Sequence, residues 1–210
     1  MTWGYNWGYP SNGLSSQFDY APQLWCSSSA YTSGWASAVK SATSSGGTTH
    51  LLGFNEPDNS GQCNISPSAA ASAWKTYMQP YASSNVKLVS PAVTNGGGET
   101  GLQWMSEFLG NCTGCTVDVI ALHWYSSYAP DFQNHVESAY NMFGKPIWVT
   151  EFGLTSSTDA QIESFLESAM PWMDSTSYVQ RYAYFGAFTG YLLNTSTTLS
   201  DYGMVYASYT

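Results

Sequence analysis

Charge is what this chain has least of. Only 9% of its 210 residues are charged, against about 25% in an average protein. Five Lys and Arg residues cannot line a phosphate backbone, and a net charge of -9 with a pI near 4.4 repels one, which excludes nucleic acid as a partner. Long apolar runs are also missing. None approaches the roughly 18 residues of a membrane helix, so no membrane association is expected. No secretory leader is evident, and Met1 reads as an expression start on a mature domain. There is no internal repeat and no linker, and a chain of this length can bury a good core as one domain, residues 1–210. The Ser-rich stretches at 27–33 and 41–45 read as loops.

What fills the space left by charge is neutral. Aromatic residues reach 16%, with Ser, Thr, Gly and Asn around them. Such a surface suits an uncharged polymer whose apolar faces stack on aromatic rings. Four cysteines allow three pairings, of which Cys26 with Cys63 and Cys112 with Cys115 is favoured; a metal-binding or redox CxxC at Cys112 and Cys115 is the competing reading, and no second CxxC or nearby His completes a zinc site. Paired cysteines and Asn-x-Ser/Thr triplets at Asn64, Asn111 and Asn194 imply a secreted, extracellular or cell-wall glycoprotein.

Short apolar runs bounded by Gly, Pro or Asn predict strands over residues 3–7, 18–25, 50–56, 86–92, 117–125, 146–151 and 182–188. Helical spacing separates them. Trp74, Tyr77, Met78 and Tyr81 share one helical face behind Ser66-Pro67, and Ile162, Phe165, Leu166, Ala169 and Met170 share another behind Thr158-Asp159. Weaker helices fit residues 34–44, 102–109 and 132–143. Alternating strands and helices define an α/β class with a parallel sheet, best matched by a TIM-type (β/α)8-like barrel.

Two glutamates stand out against this background. Glu56 in Leu52-Gly53-Phe54-Asn55-Glu56-Pro57-Asp58 and Glu151 in Ile147-Trp148-Val149-Thr150-Glu151-Phe152-Gly153 each close an apolar strand. An unpaired buried charge costs several kcal/mol, so carboxylates at two such ends call for a function. Glycoside hydrolysis needs two carboxyl groups flanking one sugar. Other polar and aromatic residues collect at strand ends as candidate substrate-binding groups: Asn6, Trp25, Asn55, Asn95, His123, Trp124, Tyr125 and Tyr184. Trp35, Trp74, Trp104 and Trp172 lie in helical stretches and read as core. Glu99, Glu107, Glu137, Glu163 and Glu167 read as solvated, and His50 and His135 are given no role.

The Asn-Glu-Pro strand end and the Trp-Val-Thr-Glu-Phe-Gly run resemble the retaining clan A glycoside hydrolases. Within that clan, Trp3-Gly4-Tyr5-Asn6-Trp7, the Asn-Glu-Pro-Asp segment, Ser90-Pro91-Ala92, His123-Trp124-Tyr125 and Arg181-Tyr182-Ala183-Tyr184-Phe185 resemble glycoside hydrolase family 128 over residues 3–188. The resemblance implies a mostly fungal endo-β-1,3-glucanase, with Glu56 as acid/base and Glu151 as nucleophile. In the clan the Asn-Glu-Pro strand is the fourth, whereas here it is the third. The barrel is therefore expected to be incomplete or to have a non-standard first strand, unless the tail around residues 202–206 supplies a closing element.

The expected reaction is double displacement at a carboxyl separation of about 5 to 5.5 Å, with Asn55 bonding the sugar 2-hydroxyl. Asp58 beside Glu56 is weak evidence for Ca²⁺, lacking further spaced oxygen ligands, so no metal and no cofactor are expected. The expected partner is a β-glucan polysaccharide or oligosaccharide, bound by a monomer. Two alternatives remain: a catalytically weak β-glucan-binding protein of the same fold, and a clan A hydrolase acting on another β-linked polymer.

Overall fold

A computed structural model describes residues 2–44, 47–83 and 85–209; Met1 and Ser45, the last residue of one Ser-rich stretch, lie outside the described residues. Strands and helices alternate as an α/β chain. The order is β1 (Trp3–Gly4), β2 (Asp19–Tyr20), α1 (Ser29–Thr32), α2 (Trp35–Ser44), β3 (His50–Leu52), α3 (Pro67–Tyr77) and a 3-10 turn (Gln79–Tyr81). There follow β4 (Lys87–Val93), α4 (Leu102–Asn111), β5 (Val119–Ser126), α5 (Asp131–Phe143), β6 (Ile147–Leu154), α6 (Asp159–Ser175) and β7 (Val179–Tyr184). A hairpin, β8 (Leu193–Thr195) with β9 (Thr198–Leu199), leads to α7 (Asp201–Ser208). The principal sheet runs β3-β4-β5-β6-β7, and its β3/β4 and β6/β7 pairs are parallel. The chain groups into two compact units, Thr2–Ala121 and Leu122–Thr210.

In the first unit β1 lies parallel to β2, and a Gln23–Leu52 bridge carries the segment after β2 onto β3. Strand β4 is buried from Leu88 to Val93, as a strand covered on both faces must be. It nevertheless contains Pro91, which cannot donate to a ladder. The Ser90 hydroxyl, two atoms off the backbone, accepts the Ala121 N–H at 2.9 Å beside it. Helix α3 starts where Ser66 Oγ accepts the Ala69 N–H and Pro67 takes the first turn, and it buries Ala70, Ala71 and Trp74. Gly53 makes that packing possible, because a Cβ there would stand 2.7 Å from the Trp74 ring and 2.8 Å from the Pro91 nitrogen.

In the second unit α6 opens with a Thr158–Gln161 capping box and buries Ile162, Phe165, Leu166, Ala169, Met170 and Met173. The core against it is aromatic, with Trp124, Phe132, Phe152 and Phe165 in mutual edge and stacked contact. Helix α5 ends at Gly144, whose φ of 61° is the left-handed value glycine adopts freely.

Four element expectations are corrected, the first being the Ser-rich stretches expected as loops, which carry α1 over residues 29–32 and the end of α2 over residues 41–44. The first two strands are two residues long because Trp7 takes φ 58° and Pro22 withholds a donor. Strand β7 begins at Val179 and stops before Gly186, whose φ of 92° turns the chain, so residues 185–188 are not strand. The tail is a helix: Ser200 caps it through the Gly203 N–H, and Tyr202 and Tyr206, one turn apart, are its buried face.

Candidate active site

Glu56 ends the β3 segment in a conformation that few residues with a side chain adopt, φ 39°. The parallel bridge between Asn55 and Ala92 sets it there, with the Glu56 N–H donating to the Ala92 carbonyl at 2.8 Å. Pro57 cannot continue a ladder, and a turn closes as Asn59 N–H donates to the Glu56 carbonyl. The carboxylate is 8% exposed, and its Oε2 accepts from the Asn59 side-chain amide at 2.7 Å. Strain held at a buried titratable group is a recurring mark of functional sites.

Asn55 is fixed from three sides. Its N–H donates to the Trp25 carbonyl, its carbonyl accepts from Cys63 N–H, and its side-chain amide donates to Gln62 at 3.2 Å. Its Oδ1 is buried with no hydrogen-bond partner, an acceptor left unspent beside the Glu56 backbone. The Cys26–Cys63 disulfide ties the start of this loop's return to the residue after Trp25, and Cys112–Cys115 closes the second pair, so the favoured pairing is the one present. The half-buried Trp25 ring lies 4.8 Å from Tyr31.

Asp58, set aside as a Ca²⁺ ligand on its sequence, anchors a loop. Its carboxylate accepts the Thr94 hydroxyl at 2.6 Å, the Gly101 N–H at 2.8 Å and the Thr94 N–H at 3.2 Å. It thereby pins the glycine-rich loop 94–101, which carries Asn95. Its spacing from Glu56 was visible in the sequence; its partners, thirty-six and more residues away, were not.

In the second unit Glu151 lies on β6, 5% exposed, where the register against β7 becomes irregular between Val149 and Phe152. Its Oε2 accepts from the Tyr125 hydroxyl at 2.6 Å and lies 3.4 Å from His123 Nδ1. His123 and Tyr125 are two apart on β5, so strand alternation puts both on one face and Trp124 on the other. A Cβ at Gly153, two residues past Glu151, would make ordinary van der Waals contact with Tyr125 and Tyr184 at 3.6 Å, which puts both tyrosine rings beside this stretch of β6.

Side-chain packing and hydrogen bonding also correct three candidate binding residues. Trp124 is 1% exposed and packs on Phe132 and Phe165, so it serves the core rather than a sugar. Tyr184 packs on Phe152, Tyr202 and Tyr206, and burial pushes its phenol well above the ordinary value. Asn6 spends its side chain locally: Oδ1 accepts from Tyr20 hydroxyl at 2.6 Å and Gly8 N–H at 3.2 Å, and its amide donates to the Pro10 carbonyl.

Two buried carboxylates at strand ends are the equipment of glycoside hydrolases, and comparison with known proteins places the chain in that class. Residues 1–206 match the glycosyl hydrolase catalytic core family, to which the chain belongs. Its family 128 relatives include a curdlan-specific exo-β-1,3-glucanase of subgroup III from Blastomyces gilchristii, solved with glucose; it is 38% identical with a TM-score of 0.88 over 98% of this chain and 88% of that one. A subgroup I endo-β-1,3-glucanase from Amycolatopsis mediterranei, solved with laminaritriose, is 28% identical with a TM-score of 0.84 over 100% and 91%. Further structures of that protein carry alanine in place of one or another of two glutamates, with laminari-oligosaccharides bound. Alkali-sensitive linkage protein 1 of Schizosaccharomyces pombe is 36% identical over 228 residues, 99% of this chain and 40% of its own length. The chain thus spans two fifths of that relative.

Proposed function

We propose that the chain is a retaining β-1,3-glucanase, one catalytic domain over residues 1–210, with Glu56 as acid/base and Glu151 as nucleophile. The observation that carries this reading is a pair of buried glutamates, each ending or crossing a strand of the sheet and each with its Oε2 accepting a hydrogen bond, from Asn59 and from Tyr125. Glu151 attacks the anomeric carbon while Glu56 protonates the departing glucosyl oxygen; Glu56 then deprotonates the water that releases the glycosyl-enzyme. The Tyr125 hydroxyl orients the Glu151 carboxylate. The unspent Asn55 Oδ1 accepts from the sugar 2-hydroxyl, an interaction that strengthens as positive charge develops on the ring. Trp25 and Asn95 bind further glucosyl units. The chemistry requires no metal or cofactor.

The polymer assignment draws on the glucose and laminari-oligosaccharides bound by family 128 relatives. The disulfides and the exposed Asn64, Asn111 and Asn194 support an extracellular or cell-wall setting. Endo action is the first reading. Exo action is the second, favoured by the curdlan-specific relative at 38% identity. Proton NMR of products released from linear β-1,3-glucan tests both: short oligosaccharides with initial β-anomers support a retaining endo-enzyme, whereas glucose alone from the earliest times supports exo action. Initial α-anomers would refute retention.

A further inference from the structure

The turn that follows Glu56 carries a residue whose side chain reaches back to it. Asn59 N–H donates to the Glu56 carbonyl at 3.1 Å, the Asn59 carbonyl accepts the Gln62 N–H at 3.0 Å, and Asn59 Oδ1 accepts the Gly61 N–H at 2.9 Å. That last bond settles the orientation of the amide: with Oδ1 on the Gly61 N–H, Nδ2 is the atom that meets Glu56 Oε2 at 2.7 Å. Beyond the turn, Cys63 N–H donates to the Asn55 carbonyl, and Cys63 is bonded to Cys26. The half-buried Asn59 is thus held at its backbone on both sides and at its own side-chain oxygen, which aims its amide N–H at one atom.

A carboxyl group that gives up a proton has two oxygens and one hydrogen to place. In the acid form the carbonyl oxygen accepts a hydrogen bond far better than the hydroxyl oxygen does. An amide donor 2.7 Å from Oε2 therefore makes Oε2 the carbonyl oxygen and leaves the proton to Oε1. Glu56 is only 8% exposed, so water does little to even out the two oxygens. As the proton leaves, the neutral acceptor becomes a carboxylate, and the bond from Asn59 becomes charge-assisted and roughly twice as strong. An interaction that strengthens between ground state and transition state raises kcat and leaves substrate binding alone.

We propose that Asn59 is a positioning residue for proton donation, holding Oε2 of Glu56 as the acceptor, assigning the transferable proton to Oε1 and stabilising the carboxylate formed as the glycosidic bond breaks. In that step the Oε1–H bond breaks and its proton passes to the glycosidic oxygen. The anomeric C–O bond breaks with its electron pair staying on that oxygen, and the nucleophile's carboxylate supplies the pair for the new bond at the anomeric carbon. Asn59 touches no reacting atom and acts only through Glu56. This rests on the acid/base reading of Glu56 above.

The test compares kcat/KM on two aryl β-laminaribiosides at one pH, because a leaving group that departs unaided needs no proton. Asn59→Ala deletes both the donor and the turn acceptor. Asn59→Asp keeps an oxygen for the Gly61 N–H and sets a negative charge where the donor stood. On the phenyl glycoside both variants should lose about tenfold or more, Asn59→Asp the more severely. On the 2,4-dinitrophenyl glycoside both should stay within about twofold of the parent, and KM for laminarihexaose should not change. Glu56→Ala, run beside them, should show the same selectivity in stronger form. Equal losses on the two glycosides, a larger loss in Asn59→Ala than in Asn59→Asp, or parental rates on both would reduce Asn59 to a turn residue and overturn the proposal while the acid/base reading stands. Equal losses in Glu56→Ala itself would remove that reading, and the proposal with it.

Discussion

Replacing Asp58 with alanine removes the acceptor that holds loop 94–101. The two shortest bonds, Thr94 hydroxyl at 2.6 Å and Gly101 N–H at 2.8 Å, each involve a charged acceptor and are worth about 1.5 to 3 kcal/mol. Asp58 is half-buried, so solvent screening reduces the combined loss to about 2 to 3 kcal/mol. For a chain of this size that lowers Tm by roughly 4 to 12 °C. Asp58→Asn keeps one acceptor oxygen and should lose about half as much. Thr94→Val, which deletes only the hydroxyl, should be non-additive with Asp58→Ala, because both remove one shared bond. Released from its anchor, the loop also frees Asn95, so KM for laminarihexaose should rise more than kcat falls. Urea unfolding and steady-state kinetics measure both quantities. An Asp58→Ala variant within about 0.5 kcal/mol of the parent, with unchanged KM, would refute the anchoring argument.

Three further outcomes follow from the geometry. Tyr125→Phe deletes the 2.6 Å bond to Glu151, and kcat should fall tenfold or more, since about 1.5 to 3 kcal/mol is at stake; unchanged kcat would remove the orienting role. Burial holds His135 below its ordinary pKa of 6.5, and its Nε2 is buried with no partner. The unfolded chain therefore binds that proton more readily, so stability is full above pH 6.5 and declines as pH falls below it; urea midpoints at pH 7.5 and 5 should converge in His135→Gln. Burial raises the phenols of Tyr20, Tyr182, Tyr184, Tyr202 and Tyr206 above 10, so the stability they contribute is present below pH 10 and lost as pH rises through it. Alkaline spectrophotometric titration should show them ionising together with unfolding, and smooth early ionisation of all tyrosines would contradict this.

The strand-end glutamates were legible because a carboxylate in an apolar run is costly, and that cost holds whatever the tertiary surroundings. The helices behind Ser66 and Thr158 were legible for the same local reason: capping residue, first-turn geometry and apolar face agree in sequence. Periodicity could not tell which of His123, Trp124 and Tyr125 faces the catalytic side, because a continuous apolar strand is buried on both faces and alternation has no polar marker. Trp124 was misplaced on that account. The partners of Asn6 and Asp58 are set by loop conformation, Asn6 by a tight turn reaching Pro10 and Asp58 by a loop in another part of the chain, and no local pattern announces either. Strand β7 was displaced because its first residues, Val179, Gln180 and Arg181, look like a surface segment, although Arg181 lies over the buried Trp148 ring at 4.4 Å.

The division of labour between the two glutamates is tested most directly by azide rescue of alanine variants on an aryl β-glucoside oligomer with a good leaving group. Azide entering in place of the missing nucleophile displaces the aryl group once, so Glu151→Ala should yield the α-glycosyl azide. Azide entering after the covalent intermediate has formed displaces a second time, so Glu56→Ala should yield the β-glycosyl azide. Those two products, one from each variant, are the predicted result. The reverse assignment, or near-parental glucan hydrolysis by either variant without azide, would contradict the account.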